Sequence, residues 1–173
     1  MNTWRVIPDP DDSRKGQFIG PLIDVPCALG RGGVTLEGEK KEGDGKTPIG
    51  IYPVRQAFYR PDKFDEPLCQ LQVRPISPEL GWCDDPARAE YNKLVRLPFG
   101  GSHEKMWRED SLYDLVLVIG HNDDPPIPGR GSAIFVHVAK EGFEPTEGCV
   151  AVAPSVMLSL LRQLSPDDRV LIG

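Results

Sequence analysis

The chain has 173 residues, with 26 acidic and 20 basic side chains and a formal net charge of −6 at neutral pH. This length is typical of one domain with an ordinary hydrophobic core, so we expect residues 1–173 to form a single domain. The acidic balance excludes nucleic acid as an expected partner, because a polyanion would be repelled and the sequence contains no basic stripe.

The N-terminal residues lack the features of an export signal. Met1 to Arg5 lead into no apolar segment and no small-residue cleavage site, so we expect a cytoplasmic protein, or a periplasmic one if a leader has been removed. The longest apolar runs, such as Leu115 to Ile119, are far shorter than the roughly 20 residues of a membrane-spanning helix, so no span is expected. In a reducing compartment the four cysteines would be thiols. The sequence does not indicate an oligomeric state.

Short segments rich in β-branched and aromatic residues follow one another along the chain. The 18 glycines and 18 prolines, well above average usage, place turns between them. The segments predict strands at Trp4–Ile7, Phe18–Val25, Ile49–Tyr59, Leu68–Pro75, Leu112–Ile119, Ala133–Val138 and Val170–Ile172. Short strands separated by turns predict a mainly β fold, either a β-sandwich or an open barrel.

Two segments have a different pattern. Apolar residues from Val156 to Leu164 recur at helical spacing after Pro154, which suits a first helical turn, so we predict one helix packed on the sheet and ended by Ser165 and Pro166. The segment Glu37 to Lys46, EGEKKEGDGK, is dense in charge and glycine and predicts a solvated hairpin loop between two strands.

A histidine and a cysteine on neighbouring segments are the best candidates for chemistry. His137 lies near the end of the strand Ala133–Val138, and Cys149 follows it by 12 positions. A thiolate attacks carbonyl carbon, and an imidazole can take the thiol proton and return it to a leaving amine. Gly148 lets the backbone approach a substrate closely, with amide groups available for an oxyanion. Spacing alone is equally compatible with Cys149 as an inert residue of a buried strand.

The residues around this pair resemble the active-site signature of the YkuD-type L,D-transpeptidase catalytic domain. The matching residues are His137, then Thr146, Glu147, Gly148, Cys149 and Val150. The segment Gly43 to Gly50 is similar to the Thr-Pro-x-Gly strand of that family, and the likeness extends over about residues 30–172 together with Gly81 to Pro86 and Tyr91-Asn92.

The resemblance implies a cysteine acyltransferase that needs no cofactor and acts on peptidoglycan stem peptides or muropeptides. Cys149 would attack, His137 would activate it, the Val138 carbonyl would orient the imidazole, and backbone groups around Gly148 would hold the oxyanion. Two positions depart from the family pattern: Glu147 stands where many members have histidine, and Val138 where many have glycine.

The bond expected to break joins a diamino acid to a terminal D-alanine. Resolution of the resulting thioester by an amine gives an L,D-transpeptidase, and resolution by water gives an L,D-carboxypeptidase that trims tetrapeptides during cell-wall recycling. A module that binds cell-wall peptides without catalysis is the remaining alternative.

Several further residues are candidates for substrate binding, and each has a structural alternative. Arg31 could bind a carboxylate or be a solvated loop charge, and Thr146 belongs to the signature. Trp82 could form a wall of the site or be a core anchor, with Asp84 and Asp85 either receiving an amine or forming a turn. His121 could line the site or be structural. With His137 and Cys149 it could complete a zinc set, but no closely spaced ligand pair is present, so no metal is expected.

Overall fold

A computed structural model describes residues 2–173. Its 13 strands are β1 (Thr3–Pro8), β2 (Lys15–Gly20), β3 (Ile23–Ala28), β4 (Val34–Leu36), β5 (Thr47–Tyr59), β6 (Gln72–Pro75), β7 (Leu80–Cys83), β8 (Leu94–Arg96), β9 (His103–Lys105), β10 (Leu115–Ile119), β11 (Phe135–Val138), β12 (Val150–Val152) and β13 (Arg169–Ile172). The one α-helix, α1, spans Pro154–Gln163, and short 3-10 turns lie at Glu37–Glu39 and Glu141–Phe143. The predicted mainly β fold with a single helix is confirmed.

Eight strands form a sheet that closes on itself. Its order is β10-β11-β12-β3-β2-β1-β13-β5, and β5 pairs again with β10 to complete the ring. The long strand β5 makes closure possible because its first half pairs with β13 and its second half with β10, while β4 and β6 join it in parallel. A separate sheet of three strands, β8-β7-β9, lies outside this barrel.

The central strands are buried on both faces because a different core lies on each side. Leu115 and Leu117 of β10 point into the main core, where the apolar face of α1 also packs. Val116 and Val118, which alternate with them, join a second core with Trp82 of β7. The second core includes Cys149 and therefore positions the candidate nucleophile between the barrel and the small sheet.

Two local predictions were wrong. The predicted strand Phe18–Val25 is a hairpin, since Pro21 and Leu22 form a turn that pairs Gly20 with Ile23. The segment Glu37 to Lys46 is not a hairpin loop, because the strands it joins, β4 and β5, are parallel. Nor is it fully solvated: Lys40 is only 2% exposed and its Nζ lies 2.5 Å from Asp44 Oδ1.

A buried carboxylate connects the N-terminal strand to the turn between α1 and β13. Asp168 is fully buried and accepts hydrogen bonds from Asn2 N at 2.6 Å, Trp4 Nε1 at 3.1 Å and Ser165 N at 3.1 Å. We expect Asp168→Ala to lower the free energy of unfolding by about 3 kcal/mol, because three donors lose their acceptor at about 1 kcal/mol each. Urea denaturation measures this. Asp167→Ala, at an exposed neighbouring position, is the control and should change stability by less than about 0.5 kcal/mol; equal effects would contradict the assignment.

Candidate active site

Parallel pairing of β11 with β12 brings the predicted histidine and cysteine to one face of the sheet. His137 is in register with Ala151, and side chains two positions apart on a strand share a face, so Cys149 lies beside His137 on the outer face of the barrel. Both residues line a cavity of about 580 Å³ between the barrel and the small sheet. A cavity of this volume is ordinary for a small-molecule or peptide site.

The Cys149 thiol is held by the backbone of the segment that enters β11. Its Sγ donates to the Ala133 carbonyl at 3.1 Å and accepts from the Phe135 N–H at 3.3 Å. Burial raises the pKa of the Cys149 thiol to about 12. Cys149 is therefore a neutral thiol whose proton points to a carbonyl, and it makes no hydrogen bond to the His137 ring.

His137 has one tautomer fixed by its own strand. Its Nδ1 lies 2.8 Å from the Val138 carbonyl, which can only accept, so Nδ1 carries the proton. Within residues 2–173 the opposite nitrogen, Nε2, makes no hydrogen bond and is free to act as a base. Burial lowers the pKa of His137 to about 4, and the ring of Tyr113 packs edge-on against the imidazole with centroids 5.4 Å apart. The imidazole of His137 is therefore neutral at physiological pH.

Two hydroxyls shape the turn that presents the cysteine. Thr146 Oγ1 accepts from the Gly148 N–H at 3.0 Å and donates to the Cys149 carbonyl at 2.7 Å. Thr47, from the Thr-Pro-x-Gly segment, is buried and its Oγ1 lies 3.4 Å from the same carbonyl. Gly148 has φ +130°, and a Cβ there would lie 2.8 Å from the Lys46 carbonyl oxygen, so only glycine fits.

This turn gives a prediction for Thr146. We expect Thr146→Val to lower kcat about tenfold, because the Gly148 N–H and the Cys149 carbonyl lose the hydroxyl that holds the turn. Thr146→Ser keeps the hydroxyl and should stay close to the wild type in the same rate measurement. A valine variant with unchanged kcat would show that the turn holds its shape without the hydroxyl.

Five carboxylates line the cavity, and three of them, which sequence reasoning did not connect with one another, have no ion pair in the described residues. Glu42, Asp84 and Glu104 all line it, and none makes an ion pair with any of residues 2–173. Glu42 accepts from Tyr91 and Ser132 hydroxyls, Glu104 accepts from the Tyr113 hydroxyl, and burial raises the pKa of Glu104. Asp84 Oδ1 is buried and has no hydrogen-bond partner among residues 2–173. Because Lys40, Lys105, Arg108 and Lys140 line the same cavity, its lining carries both charges.

Arg31 pairs with a neighbour of the nucleophile. Its Nε lies 2.8 Å from Glu147 Oε2 in a pair exposed to solvent, and its backbone N–H donates to the Thr146 carbonyl at 2.8 Å. Arg31 does not line the cavity of Cys149, whereas Thr146 and Glu147 do.

Trp82 and His121 do not line the cavity that contains Cys149 and His137. Both line a second cavity, which has no lining residue in common with the first. Trp82 is a buried anchor that donates from Nε1 to Asn92 Oδ1 at 3.0 Å and packs edge-on against Phe135. Asp85 Oδ1 accepts from the Ala87 N–H at 3.0 Å and so forms a turn.

Cationic side chains and a second histidine also line the cavity of Cys149. His103, which had no predicted role, lines the catalytic cavity, as does the buried Lys40. Within residues 2–173 no group of three or more His, Cys, Asp or Glu side chains is arranged to hold a metal ion, and no helix is long and apolar enough to cross a membrane. Cys27, Cys69 and Cys83 are free thiols, like Cys149.

Comparison with known proteins gave one match. A family model described as the L,D-transpeptidase catalytic domain, YkuD, matches residues 13–172. Separate comparisons with curated proteins and with solved structures found no match. The matched range begins before the segment that carried the sequence resemblance and includes every strand from β2 to β13.

Proposed function

The chain belongs to the YkuD family of L,D-transpeptidase catalytic domains, which act on peptidoglycan, and from that premise we propose that it is a cysteine acyltransferase of stem peptides. The observation that carries this proposal is the shared cavity of Cys149 and His137, with Nδ1 of the imidazole tied to the Val138 carbonyl. That bond leaves Nε2 as the proton acceptor without a third side chain.

Acylation follows from the two resting protonation states. Because the thiol and the imidazole are both neutral, the Cys149 thiol must turn from the Ala133 carbonyl, and His137 Nε2 takes its proton as Sγ attacks the carbonyl carbon. The bond to the terminal D-residue then breaks. Its nitrogen takes the proton from Nε2 and leaves as an amine, and a thioester remains on Cys149.

The donor for the oxyanion is the backbone N–H of Cys149. The Gly148 N–H is occupied by Thr146 Oγ1, whereas the Cys149 N–H has no acceptor within residues 2–173. The left-handed conformation of Gly148 sets the direction of this N–H, so Gly148 contributes through its backbone angles.

One carboxylate in the cavity supports an amine as the group that resolves the thioester. Asp84 makes no ion pair and its Oδ1 is buried without a hydrogen-bond partner in residues 2–173, so an incoming ammonium group could donate to it. The ammonium group gives one proton to solvent, and its nitrogen attacks the thioester carbonyl while His137 Nε2 takes a second proton. The C–S bond then breaks, the Cys149 thiolate takes that proton from Nε2, and the amide that forms is the cross-link, which is transpeptidation.

Incubation of the protein with a disaccharide-tetrapeptide, followed by mass analysis of the products, tests the proposal. A cross-linked dimer with release of D-alanine supports transpeptidation. A tripeptide without dimer assigns the L,D-carboxypeptidase reaction to the same site, because water then resolves the thioester. Absence of both products and of any covalent adduct on Cys149 would contradict acyl transfer and leave a peptide-binding module.

A further inference from the structure

The residue whose carbonyl accepts from the Cys149 thiol has an unfavourable backbone conformation. Ala133 is 4% exposed and has φ +53°, in the left-handed region. This conformation is costly for a residue with a Cβ, and it persists only where neighbouring groups stabilise it. Because the Ala133 carbonyl lies 3.1 Å from Cys149 Sγ, a group that stabilises this conformation also acts on the nucleophile.

Asn92 supplies that stabilisation. Its Oδ1 accepts from the Ala133 N–H at 3.0 Å in a buried hydrogen bond. Asn92 lies in the connection from β7 to β8, so the contact joins the small sheet to the segment that enters β11. Without this acceptor the Ala133 N–H would be a buried donor with no partner, and the left-handed conformation would lose a bond that holds it.

The Asn92 side chain is itself fixed by its hydrogen bonds. Besides the Ala133 N–H, its Oδ1 accepts from Trp82 Nε1 at 3.0 Å. Its Nδ2 donates to the carbonyls of His121 at 3.0 Å and Asn122 at 2.8 Å. Two donors at Oδ1 and two carbonyl acceptors at Nδ2 allow only one orientation of the amide, so the acceptor is held in place for Ala133.

The neighbouring Tyr91 holds the same segment. Its hydroxyl accepts from the Gly131 N–H at 3.0 Å and donates to Glu42, and Glu42 also accepts from Ser132 Oγ at 2.7 Å. Residues 131 and 133 therefore contact both members of the pair Tyr91-Asn92, which accompanies the catalytic motif in the sequence.

We propose that Asn92 is a positioning residue for Cys149, because it keeps Ala133 in the left-handed conformation. The Ala133 carbonyl and the Phe135 N–H then hold Sγ in one place. The inference rests on the proposed acyl transfer and deepens it, because Sγ must start from a fixed position to reach both His137 Nε2 and the substrate carbonyl carbon. A misplaced nucleophile slows the chemical step more than it weakens substrate binding, so the effect is expected in kcat rather than in KM.

The Asn92→Gly variant tests this role. Asn92 has φ +56°, so glycine removes the side chain without adding backbone strain. We expect kcat for a disaccharide-tetrapeptide to fall about thirtyfold and KM to change by less than about threefold. Asn92→Asp keeps the Oδ1 acceptor but cannot make both donations of Nδ2, and its kcat should stay within about threefold of the wild type. Circular dichroism checks folding, and Asn92→Ser, with a side chain one bond shorter, replaces the glycine variant if that protein does not fold.

Two comparisons separate positioning from a general structural role. Ala133→Gly provides a second background, because glycine adopts the left-handed conformation without help, and there the loss of kcat caused by Asn92→Gly should be about fivefold smaller. Asn122→Gly is the matched control, since Asn122 is also left-handed and its amide makes three hydrogen bonds, to Ile127 and Gly131, but none to Ala133. The kcat of this control should stay within about threefold of the wild type.

Alkylation of Cys149 by iodoacetamide at pH 8 gives a readout that does not need the substrate. The bond to the Ala133 carbonyl stabilises the neutral thiol and so disfavours the thiolate that reacts. Loss of this bond in Asn92→Gly should therefore raise the alkylation rate about threefold or more, whereas kcat falls. If the wild type forms no acyl-transfer product, the proposed function fails, and the alkylation rates of the variants still decide the role of Asn92.

Four results would overturn the proposal. They are a kcat of Asn92→Gly within about fivefold of the wild type, an equal loss in Asn122→Gly, an equal effect of Asn92→Gly in the two backgrounds, and an alkylation rate that does not rise. A loss of kcat in folded Asn92→Asp as large as in Asn92→Gly would assign Asn92 to the support of residues 121 and 122 alone, and it too would overturn the proposal.

Discussion

Cys149→Ala is expected to lower acyl transfer by at least three orders of magnitude and to leave the protein folded. The large loss follows because no other group in the cavity can form the thioester, and removal of a nucleophile typically costs about a thousandfold to a millionfold in rate. The fold should persist, because the thiol makes only two hydrogen bonds, to Ala133 and Phe135, and alanine leaves a small void. Product formation from a disaccharide-tetrapeptide and intact mass after incubation with a carbapenem measure the loss of turnover and of the adduct.

The control is Cys69→Ala, since Cys69 is a half-buried thiol that does not line the catalytic cavity. This variant should keep both turnover and the adduct on Cys149. If Cys149→Ala retained wild-type turnover with intact folding, the thiol would be a core residue, as the spacing alone allows.

The elements that sequence predicted well are those in which the periodicity is long or the strand is central. The helix Pro154–Gln163 was found from five apolar residues at helical spacing, and β5, β10 and β11 from runs of β-branched residues. The small sheet was missed, because its strands have three or four residues and one of them, His103–Lys105, is entirely polar. Three or four residues are too few to show the alternation of apolar and polar side chains that identifies a strand.

The parallel pairing of β4 with β5 could not be predicted from the sequence pattern either. Only ten residues connect Leu36 to Thr47, and so short a connection is normally a hairpin between antiparallel strands. The buried pair of Lys40 with Asp44 holds this connection in a compact shape, and a charged segment gives no sign that one of its lysines is buried.

Cys149 and His137 were identified as catalytic candidates from their motif. Most of the residues that contact and orient them were not identified from the sequence. Thr47 contacts the Cys149 carbonyl from 102 positions away, so only the fold gives a reason for the Thr-Pro-x-Gly segment to accompany the cysteine. His121 was assigned to the site because it follows the apolar strand Leu115–Ile119, and Trp82 because an aromatic ring could form a wall for the substrate. Since β10 is buried on both faces, alternation along it could not show which cavity His121 would meet.

His137→Asn is expected to lower kcat/KM by about a hundredfold to ten-thousandfold. Asparagine places an amide near Nδ1, so the hydrogen bond to the Val138 carbonyl can remain, but no group replaces the Nε2 base. The thiol of the variant must then lose its proton to water, and the high pKa of Cys149 makes that costly. Steady-state rates measure the loss, and far-ultraviolet circular dichroism checks that the variant is folded. A loss below about threefold would exclude Nε2 as the base.

The pH dependence of the wild type separates this general-base role from a preformed thiolate–imidazolium pair. Because burial lowers the pKa of His137 to about 4 and raises that of Cys149 to about 12, both groups stay neutral between these limits. Alkylation of Cys149 by iodoacetamide should therefore rise steadily from pH 6 to pH 10, as the thiolate fraction does. A plateau over pH 5 to 8 would instead indicate a thiolate already formed.

The lowered pKa of His137 also affects the stability of the protein, and this limits rate measurements at low pH. The unfolded chain takes up a proton on His137 below pH 6.5, whereas the folded chain does so only near pH 4, so folding stability falls as the pH decreases between these values. His121, with its pKa also near 4, adds to the loss in the same window. Each pKa unit corresponds to about 1.4 kcal/mol, so initial rates below pH 5 must be paired with a folding measurement. If kcat/KM falls there while circular dichroism is unchanged, protonation of His137 in the folded protein accounts for the loss.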